Sequence, residues 1–252
     1  GLVEVAASFV SSTELRCLTP SLTAGVLPVS VSENGIDFAS GEATFTATGD
    51  AEVLGVSPPL GSAAGGTEVT VMGRGFSEVA ELACLFGGVA SSAATFVSAT
   101  ELTCTTPAHD TGVARLEVQM DGMLTTKSNV AFQFVATPTV VSLMPNSGSQ
   151  AGNTVVVVNG RDFVASDLLR CMFGAVAVPA RWLSAIQIEC VAPARSSISS
   201  EKAELKVSLN GADFVESGLH FKYMKTASLV SAIPSHGPSA GGKPIVLKGA
   251  SF

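Results

Sequence analysis

The sequence has few charged residues, and it has few Trp and Tyr residues, whose side chains combine an apolar ring with a polar group. Only 14% of its 252 residues are charged, and it has one Trp and one Tyr. The 14 Lys and Arg are outnumbered by 21 Asp and Glu, and no basic run occurs. Proteins bind the phosphates of nucleic acids through clustered Lys and Arg. We therefore expect no nucleic-acid partner.

Long hydrophobic runs are also missing, although 46% of the residues are hydrophobic. No apolar stretch approaches the ~18 residues that a membrane-spanning helix needs. Residues 1–10 have neither the basic start nor the cleavage site of a secretory signal. We expect no direct membrane insertion in this segment.

What the sequence does contain is an internal repeat. The stretch VLGVSPPLGSAAGGTEVTVMGRGF at 53–76 returns with variations at 140–163 and 229–252, and the closing Phe residues are 87 and 89 positions apart. A period of that length indicates one small domain per repeat. We predict the C-terminal part of a repeat at 1–50, complete repeats at 51–136 and 137–226, and the N-terminal part of another at 227–252. We interpret the chain as a segment of a longer protein.

The five cysteines follow the same period. Cys84 and Cys104 are 20 positions apart, Cys171 and Cys190 are 19 apart, and Cys17 precedes Cys104 by 87, so its partner would lie before this segment. One pair per repeat predicts a recurring disulfide, and hence a secreted or cell-surface location. The alternative is reduced thiols packed in the core. A zinc site is less favoured, because no CxxC spacing occurs.

Alternating apolar residues predict strands throughout the chain. In each repeat such a run ends at a turn dipeptide, at Asn34-Gly35, Asp121-Gly122 and Asn210-Gly211. Asn-Gly and Asp-Gly are typical of two-residue type I′ hairpins. Short strands with frequent turn signals favour a β-sandwich, and the short connections between repeats favour a semi-rigid rod.

An aromatic residue precedes the second cysteine of every repeat by eight positions. These residues are Phe9, Phe96 and Trp182. We interpret the position as part of the core, so that Trp182 packs rather than forming a binding platform.

The order of these signals resembles the IPT/TIG family of immunoglobulin-like domains. The resemblance depends on a Pro-x-x-Gly-x-x-x-Gly-Gly-Thr opening turn, a Gly-x-Gly-Phe corner, Cys-x-Phe-Gly and a later Cys-x-x-Pro, which in the first complete repeat are Pro58, Gly61, Gly65, Gly66, Thr67, Gly73, Gly75, Phe76, Cys84, Phe86, Gly87, Cys104 and Pro107. It recurs from Pro145 to Pro193, with Asn153 and Asp162 in place of two glycines, and Lys243 replaces the Thr in the last copy. The resemblance implies an all-β chain of tandem immunoglobulin-like (E-set) β-sandwiches.

Residues that could carry chemistry are few and do not recur. A G-x-S-x-G pattern at 237–241 lies in an opening turn rather than a strand-turn-helix, so we interpret it as chance. His109, His220 and His236 have no evident partners in the sequence, and we expect them to be solvated. The acidic residues lack the spacing of a calcium loop. We expect no catalytic residue, no metal and no cofactor, and we predict that the chain is not an enzyme.

Loops that differ between repeats are the better candidates for binding, because a scaffold can hold variable loops at its ends. They are residues 77–81, 108–112 and 194–202. Within them we single out His109, Asp110, Arg195 and Lys202 as possible binding residues, with plain surface loops as the alternative.

Members of the family occur in extracellular receptors such as plexins and in long multi-repeat surface proteins such as fibrocystin. The resemblance therefore implies a non-catalytic extracellular array that serves as a spacer and as a protein-binding or adhesion ectodomain. Its partners would be neighbouring IPT/TIG repeats and a protein or glycan ligand at the cell surface. Other members lie beside DNA-binding domains or carbohydrate-active enzymes. The alternatives are therefore an intracellular dimerisation or DNA-accessory module of a transcription factor, and an accessory domain of a carbohydrate-active enzyme.

Overall fold

The computed structural model describes residues 3–23, 25–39, 41–47, 51–91, 93–124, 128–195 and 201–252. Across these ranges the regular structure consists of β-strands, as the sequence predicts. None of the described residues forms a helix that is long and apolar enough to cross a membrane. The chain divides into two compact units, and the second comprises Val56–Val69, Thr105–Ala114 and Ala131–Phe252. The first comprises Gly1–Gly55, Thr70–Cys104 and Arg115–Val130.

The N-terminal segment forms two separate strand pairs. They are β1 (Ala7–Ser11) with β2 (Glu14–Cys17), and β3 (Gly25–Pro28) with β4 (Thr44–Ala47). Apolar side chains on these strands remain exposed, for example Phe9 at 75% and Val26 at 67%. The segment therefore contains strands without a closed core of its own.

The first complete repeat is built from two sheets. Its strands are β5 (Glu52–Ser57), β6 (Leu60–Ser62), β7 (Glu68–Arg74), β8 (Leu82–Phe86), β9 (Val89–Ala90), β10 (Ala93–Ser98), β11 (Glu101–Thr105), β12 (Gly112–Met120), β13 (Met123–Leu124) and β14 (Ala131–Val135). One sheet has the order β10-β11-β7-β5, and the other has the order β6-β14-β12-β8-β9 with β13 paired to β12. The predicted alternation is confirmed on β7, where Val69 and Val71 are fully buried.

The second complete repeat has a similar order of strands, in which one long strand takes the place of β9 and β10. Its strands are β15 (Thr139–Met144), β16 (Ser147–Ser149), β17 (Val155–Arg161), β18 (Arg170–Phe173), β19 (Val176–Ser184), β20 (Gln187–Val191), β21 (Lys202–Ser208) and β22 (Val215–Met224). The order β15-β17-β20-β19-β18-β21-β22-β16 is continuous, because β19 pairs with β18 through residues 176–179 and with β20 through residues 180–184. One long strand thus joins both layers of this sandwich.

The C-terminal segment adds one further pair, β23 (Ser228–Ile233) with β24 (Val246–Ala250). Its apolar residues are exposed, including Leu247 at 49% and Phe252 at 78%. As in the N-terminal segment, strand formation here is local and is not accompanied by burial.

Only one of the three predicted type I′ turns forms. Asp121 and Gly122 both have positive φ, at 49° and 75°, and they connect β12 directly to β13. At the other two dipeptides the positive φ is confined to Gly35 and Gly211. The reason is that the Asn side chains, described below, replace the backbone hydrogen bonds of a two-residue turn.

The prediction that an aromatic core position precedes the second cysteine is wrong. Phe9 is exposed, Phe96 is half-buried, and Trp182 is 41% exposed. Trp182 instead packs at the surface, where its indole Nε1–H donates a hydrogen bond to the carbonyl of Phe163 at 3.1 Å. Trp182 therefore has a structural role, as predicted. Its ring, however, lies at the surface beside Phe163 and is not part of the core.

The opening turn requires glycine for two different reasons at adjacent positions. Gly65 has φ +79°, and a Cβ there would lie 2.6 Å from the backbone carbon of Pro107. Gly66 has φ +85°, but a Cβ there would meet nothing within 4 Å. At the position equivalent to Gly66, the next repeat has Asn153 with φ 62°. Asn is among the few non-glycine residues that tolerate this region.

These two glycines allow backbone strain to be separated from packing. We expect Gly66→Ala to lower the free energy of unfolding by about 1 kcal/mol, the strain of a left-handed alanine. Gly65→Ala should lower it by about 3 kcal/mol or more, because strain and a collision with backbone atoms combine. Chemical denaturation of the two variants measures the difference, and equal effects would show that the close approach to Pro107 is unimportant.

Candidate functional site

Each complete repeat contains a disulfide that connects its two layers. Cys84 on β8 is bonded to Cys104 on β11, and Cys171 on β18 is bonded to Cys190 on β20. The Cα atoms are 6.3 Å apart in both, and all four residues are at most 2% exposed. Cys17 is a free, exposed thiol. That its partner lies outside this segment stays a prediction.

His109 is held in place by the fold, and its predicted solvation is wrong. Its ring stacks on Phe134, with centroids 4.6 Å apart and planes 13° apart. Its backbone N–H donates to the carbonyl of Ala63 at 2.9 Å. His109 therefore fastens the loop after β11 to the opening turn. His220, by contrast, is exposed as predicted.

Arg195 does in the second complete repeat what His109 does in the first. Its guanidinium carbon lies 5.4 Å from the ring centroid of Tyr223. Its backbone N–H donates to the carbonyl of Gln150 at 2.8 Å. Burial raises the pKa of Tyr223, and the positive charge of Arg195 partly opposes that shift.

The four predicted binding residues are therefore not one site. Asp110 is exposed beside His109, whose Nδ1 lies 2.8 Å from the Asp110 carbonyl oxygen. Lys202 is exposed at the start of β21, and its carbonyl accepts a hydrogen bond from the Arg195 guanidinium at 3.4 Å. Residues 196–200 of the predicted loop lie outside the described residues. Ligand binding by these loops stays a prediction.

The loop between β21 and β22, in the second unit, contains a cluster of polar groups. The Asn210 Oδ1 atom accepts hydrogen bonds from the Ser208 hydroxyl at 3.0 Å and from the backbone N–H groups of Ala212 and Asp213 at 3.0 and 2.8 Å. Its Nδ2 group donates to the Asp213 carboxylate at 2.8 Å. One amide side chain thus organises the whole loop.

This loop also binds the opening turn of the preceding repeat. Asn210 Nδ2 donates to the carbonyl of Leu60 at 3.1 Å, across 150 positions of sequence. The Thr67 hydroxyl donates to Asp213 Oδ2 at 2.6 Å, across 146 positions. Asn210 is 5% exposed and Thr67 only 1%. Asp213 itself is exposed, but hydrogen bonds to a charged group are among the stronger ones in proteins.

Apolar packing surrounds these bonds. Leu60 and Val135 belong to the first complete repeat, yet they join the core cluster of the second. Next to these residues is a small cleft of about 30 Å³, which is lined by Leu60, Pro138 and Leu209 among others. That is room for about one water molecule and far below the volume of a ligand pocket. We name this set of contacts the junction; it is a packing interface rather than a ligand site.

Comparison within the chain shows what the junction covers. Thr67 and Val135 are buried, whereas their equivalents one repeat later, Thr154 and Met224, are half-buried and 46% exposed. The difference follows from the loop that covers the first pair. Sequence reasoning identified Asn210 only as a turn residue and did not identify Thr67 or Asp213 as contacts. A usable signal was the recurrence of Ser-x-Asn-Gly-x-Asp at 32–37 and 208–213.

The comparisons with known proteins agree with the architecture. The model of the IPT/TIG domain matches residues 1–47, 51–134 and 138–223. The chain belongs to the IPT/TIG domain family. The match confirms the family that the sequence resembles, and the predicted all-β fold of tandem immunoglobulin-like domains is confirmed as well. Residues 227–252 lie beyond the matched ranges, so the further repeat expected there stays a prediction.

Individual relatives are long proteins of which this IPT/TIG chain matches a small part. It is 28% identical to mouse (Mus musculus) Fibrocystin-L over 63% of the chain and 4% of that protein. It is 23% identical to human (Homo sapiens) Fibrocystin-L over 96% of the chain and 6% of that protein. Among solved structures, the full extracellular region of plexin A4 aligns with 77% of the chain and 19% of its own, at 19% identity and a TM-score of 0.48.

A second, open groove lies on the second IPT/TIG repeat. It is lined by residues that include Asp167, Arg170, Arg181 and Trp182. Both cations already have partners, since Arg170 donates to the carbonyls of Asp167 and Leu169, and Arg181 pairs with Glu189 at 3.0 Å. Both side chains are therefore held by contacts within the repeat.

The junction makes a quantitative prediction. In a double-mutant cycle, Thr67→Val and Asp213→Ala should each destabilise the chain and should be coupled by about 1 kcal/mol, because they remove the same hydrogen bond. Denaturation of the single and double variants measures this coupling.

Thr154→Val provides the matched control, since Thr154 occupies the equivalent place one repeat later and is only half-buried. Its effect should add to that of Asp213→Ala. Additive effects for Thr67→Val as well would contradict a stabilising junction.

Proposed function

We propose that this chain is a non-catalytic part of an extracellular or cell-surface protein, in which IPT/TIG repeats act as a spacer and present binding surfaces. The observation that carries the proposal is the recurring disulfide between the layers of both complete repeats. Such bonds form and persist in oxidising compartments. The intracellular alternative expects these four thiols to be reduced.

The spacer role is supported by the junction. A flexible linker would leave successive domains free to reorient, whereas here the opening turn of one repeat shares hydrogen bonds and core contacts with the next. Directional bonds at buried positions favour one arrangement over others. We infer that such junctions transmit position along an array.

The binding role is supported only by the surfaces that remain. His109 and Arg195 hold their loops against the opening turns, so the exposed Asp110 and Lys202 are the better candidates for contact with a protein or glycan ligand. Weak contacts from several repeats of one array would add by avidity.

The oxidised state can be tested by counting thiols. We expect protein secreted from eukaryotic cells and unfolded in a thiol-blocking reagent to take up one label, on Cys17, and five labels after reduction, as measured by mass spectrometry. A Cys17→Ser variant, treated without reduction, should take up none. Five labels without reduction would contradict the extracellular proposal.

The spacer role can be tested by measuring distances. With Cys17→Ser as background, spin labels at the exposed positions 113 and 176 report the distribution of distances between the complete repeats. We expect Asn210→Ala to broaden that distribution, because the amide that bridges to Leu60 is lost.

The control is Asn34→Ala, which removes the same side chain from the same loop motif in the N-terminal segment. It should leave the distribution unchanged. An equally narrow distribution in Asn210→Ala would show that the junction does not restrain the repeats.

A further inference from the structure

The loop at 32–37 has the internal structure of the junction loop. In both copies a Ser hydroxyl donates to the Asn Oδ1 atom, at 3.1 Å for Ser32 and 3.0 Å for Ser208. In both copies the Asn Nδ2 group donates to the Asp carboxylate at 2.8 Å, from Asn34 to Asp37 in the first and from Asn210 to Asp213 in the second. The backbone N–H groups of Ile36 and Asp37 donate to Asn34 Oδ1 at 2.9 and 2.8 Å.

The surroundings of the two loops differ. In the copy at 208–213, residues 208–210 are buried, Asn210 is 5% exposed and bonds to the opening turn of the preceding repeat, and residues 211–213 are exposed. The copy at 32–37 is open along most of its length, and apolar residues around it are exposed, with Ile36 at 81% and Phe38 at 46%. The same arrangement of donors and acceptors is thus occupied once and exposed once.

The motif is not needed to close the hairpin. The first complete repeat has Asp121-Gly122-Met123-Leu124 at the equivalent place, and it closes with a two-residue turn. The Asn and Asp of the motif are therefore not required for reversal of the chain. In the copy at 208–213 their additional contacts are those with Leu60 and Thr67.

We propose that the loop at 32–37 is a docking site for the opening turn of another IPT/TIG repeat. Asn34 Nδ2 would donate to the carbonyl at the position of Leu60, and the Asp37 carboxylate would accept from a hydroxyl at the position of Thr67. Glu33 stands where the other copy has the apolar Leu209, so one apolar contact of the junction would be replaced by a carboxylate. The inference depends on the junction and not on the extracellular proposal.

The chain itself supplies the probe. Cys17 and Cys190 occupy the same place in their repeats, so residue 1 corresponds to residue 174, and residues 51–173 can be joined directly before Gly1. In this extension, residues 51–136 are a complete repeat with its own Thr67. Residues 137–173 supply the opening half of a repeat whose second half is the N-terminal segment that begins at residue 1. The added Cys171 then precedes Cys17 by 19 positions, the separation of the Cys171–Cys190 disulfide. Formation of that disulfide, seen as loss of Cys17 labelling, reports that the extended repeat has closed.

The test is a double-mutant cycle in the extended chain. We expect Asp37→Ala and Thr67→Val in the added copy to be coupled, so that the unfolding constant of the double variant differs about fivefold from the value expected for additive effects. In the unextended chain, Asp37→Ala should change the unfolding constant less than about twofold, as is usual at exposed positions.

Glu42→Ala is the matched control, because it removes an exposed carboxylate from the same segment. It should be additive with Thr67→Val in the added copy. Additivity of Asp37→Ala with that substitution, or continued labelling of Cys17 in the extended chain, would overturn the proposal. Either result would leave the thiol count of the proposed extracellular array unchanged.

Discussion

The disulfide between the layers is the constraint on which each complete repeat depends. Cys84 and Cys104 are buried, as are alternate apolar side chains such as Val69 and Val71 on β7. Closing a loop of about 20 residues stabilises a domain by about 3 kcal/mol in the chain-entropy model. For a domain of this size that is a substantial part of the total stability. The open strand pairs at both ends show how little burial strand pairing alone achieves.

The opening turn links this closed sandwich to its neighbour. Within its own repeat, Gly65 allows the turn to approach the backbone at Pro107, and Ala63 receives the N–H of His109. Its other side presents the Leu60 carbonyl and the Thr67 hydroxyl to the next repeat. The same short segment therefore closes one domain and binds the next. A change in its backbone would affect both.

The sequence predicted the elements better than it predicted the roles of individual side chains. Strands followed from alternation, and the structure contains a disulfide at each of the two complete cysteine pairs. Trp182, His109 and two of the Asn-Gly turns were assigned wrongly. For Trp182 and His109, a hydrogen bond or ring contact with a distant residue replaced the role that local sequence suggested, and at the two Asn-Gly dipeptides bonds of the Asn side chain replaced the turn. Propensities describe local preference, and tertiary contacts override them.

The sequence alone determined the repeat length, the strand pattern, the family and the similarity of the repeats to one another. Each of these depends on residue patterns that recur at fixed spacing along the chain. The tertiary structure decided that Asn210 and Asp213 reach Leu60 and Thr67, and that Arg195 and His109 fasten loops instead of facing solvent. These contacts join residues that are far apart in the chain, and a directional hydrogen bond between them has no periodic signature. Their existence depends on where folding places one opening turn against one loop.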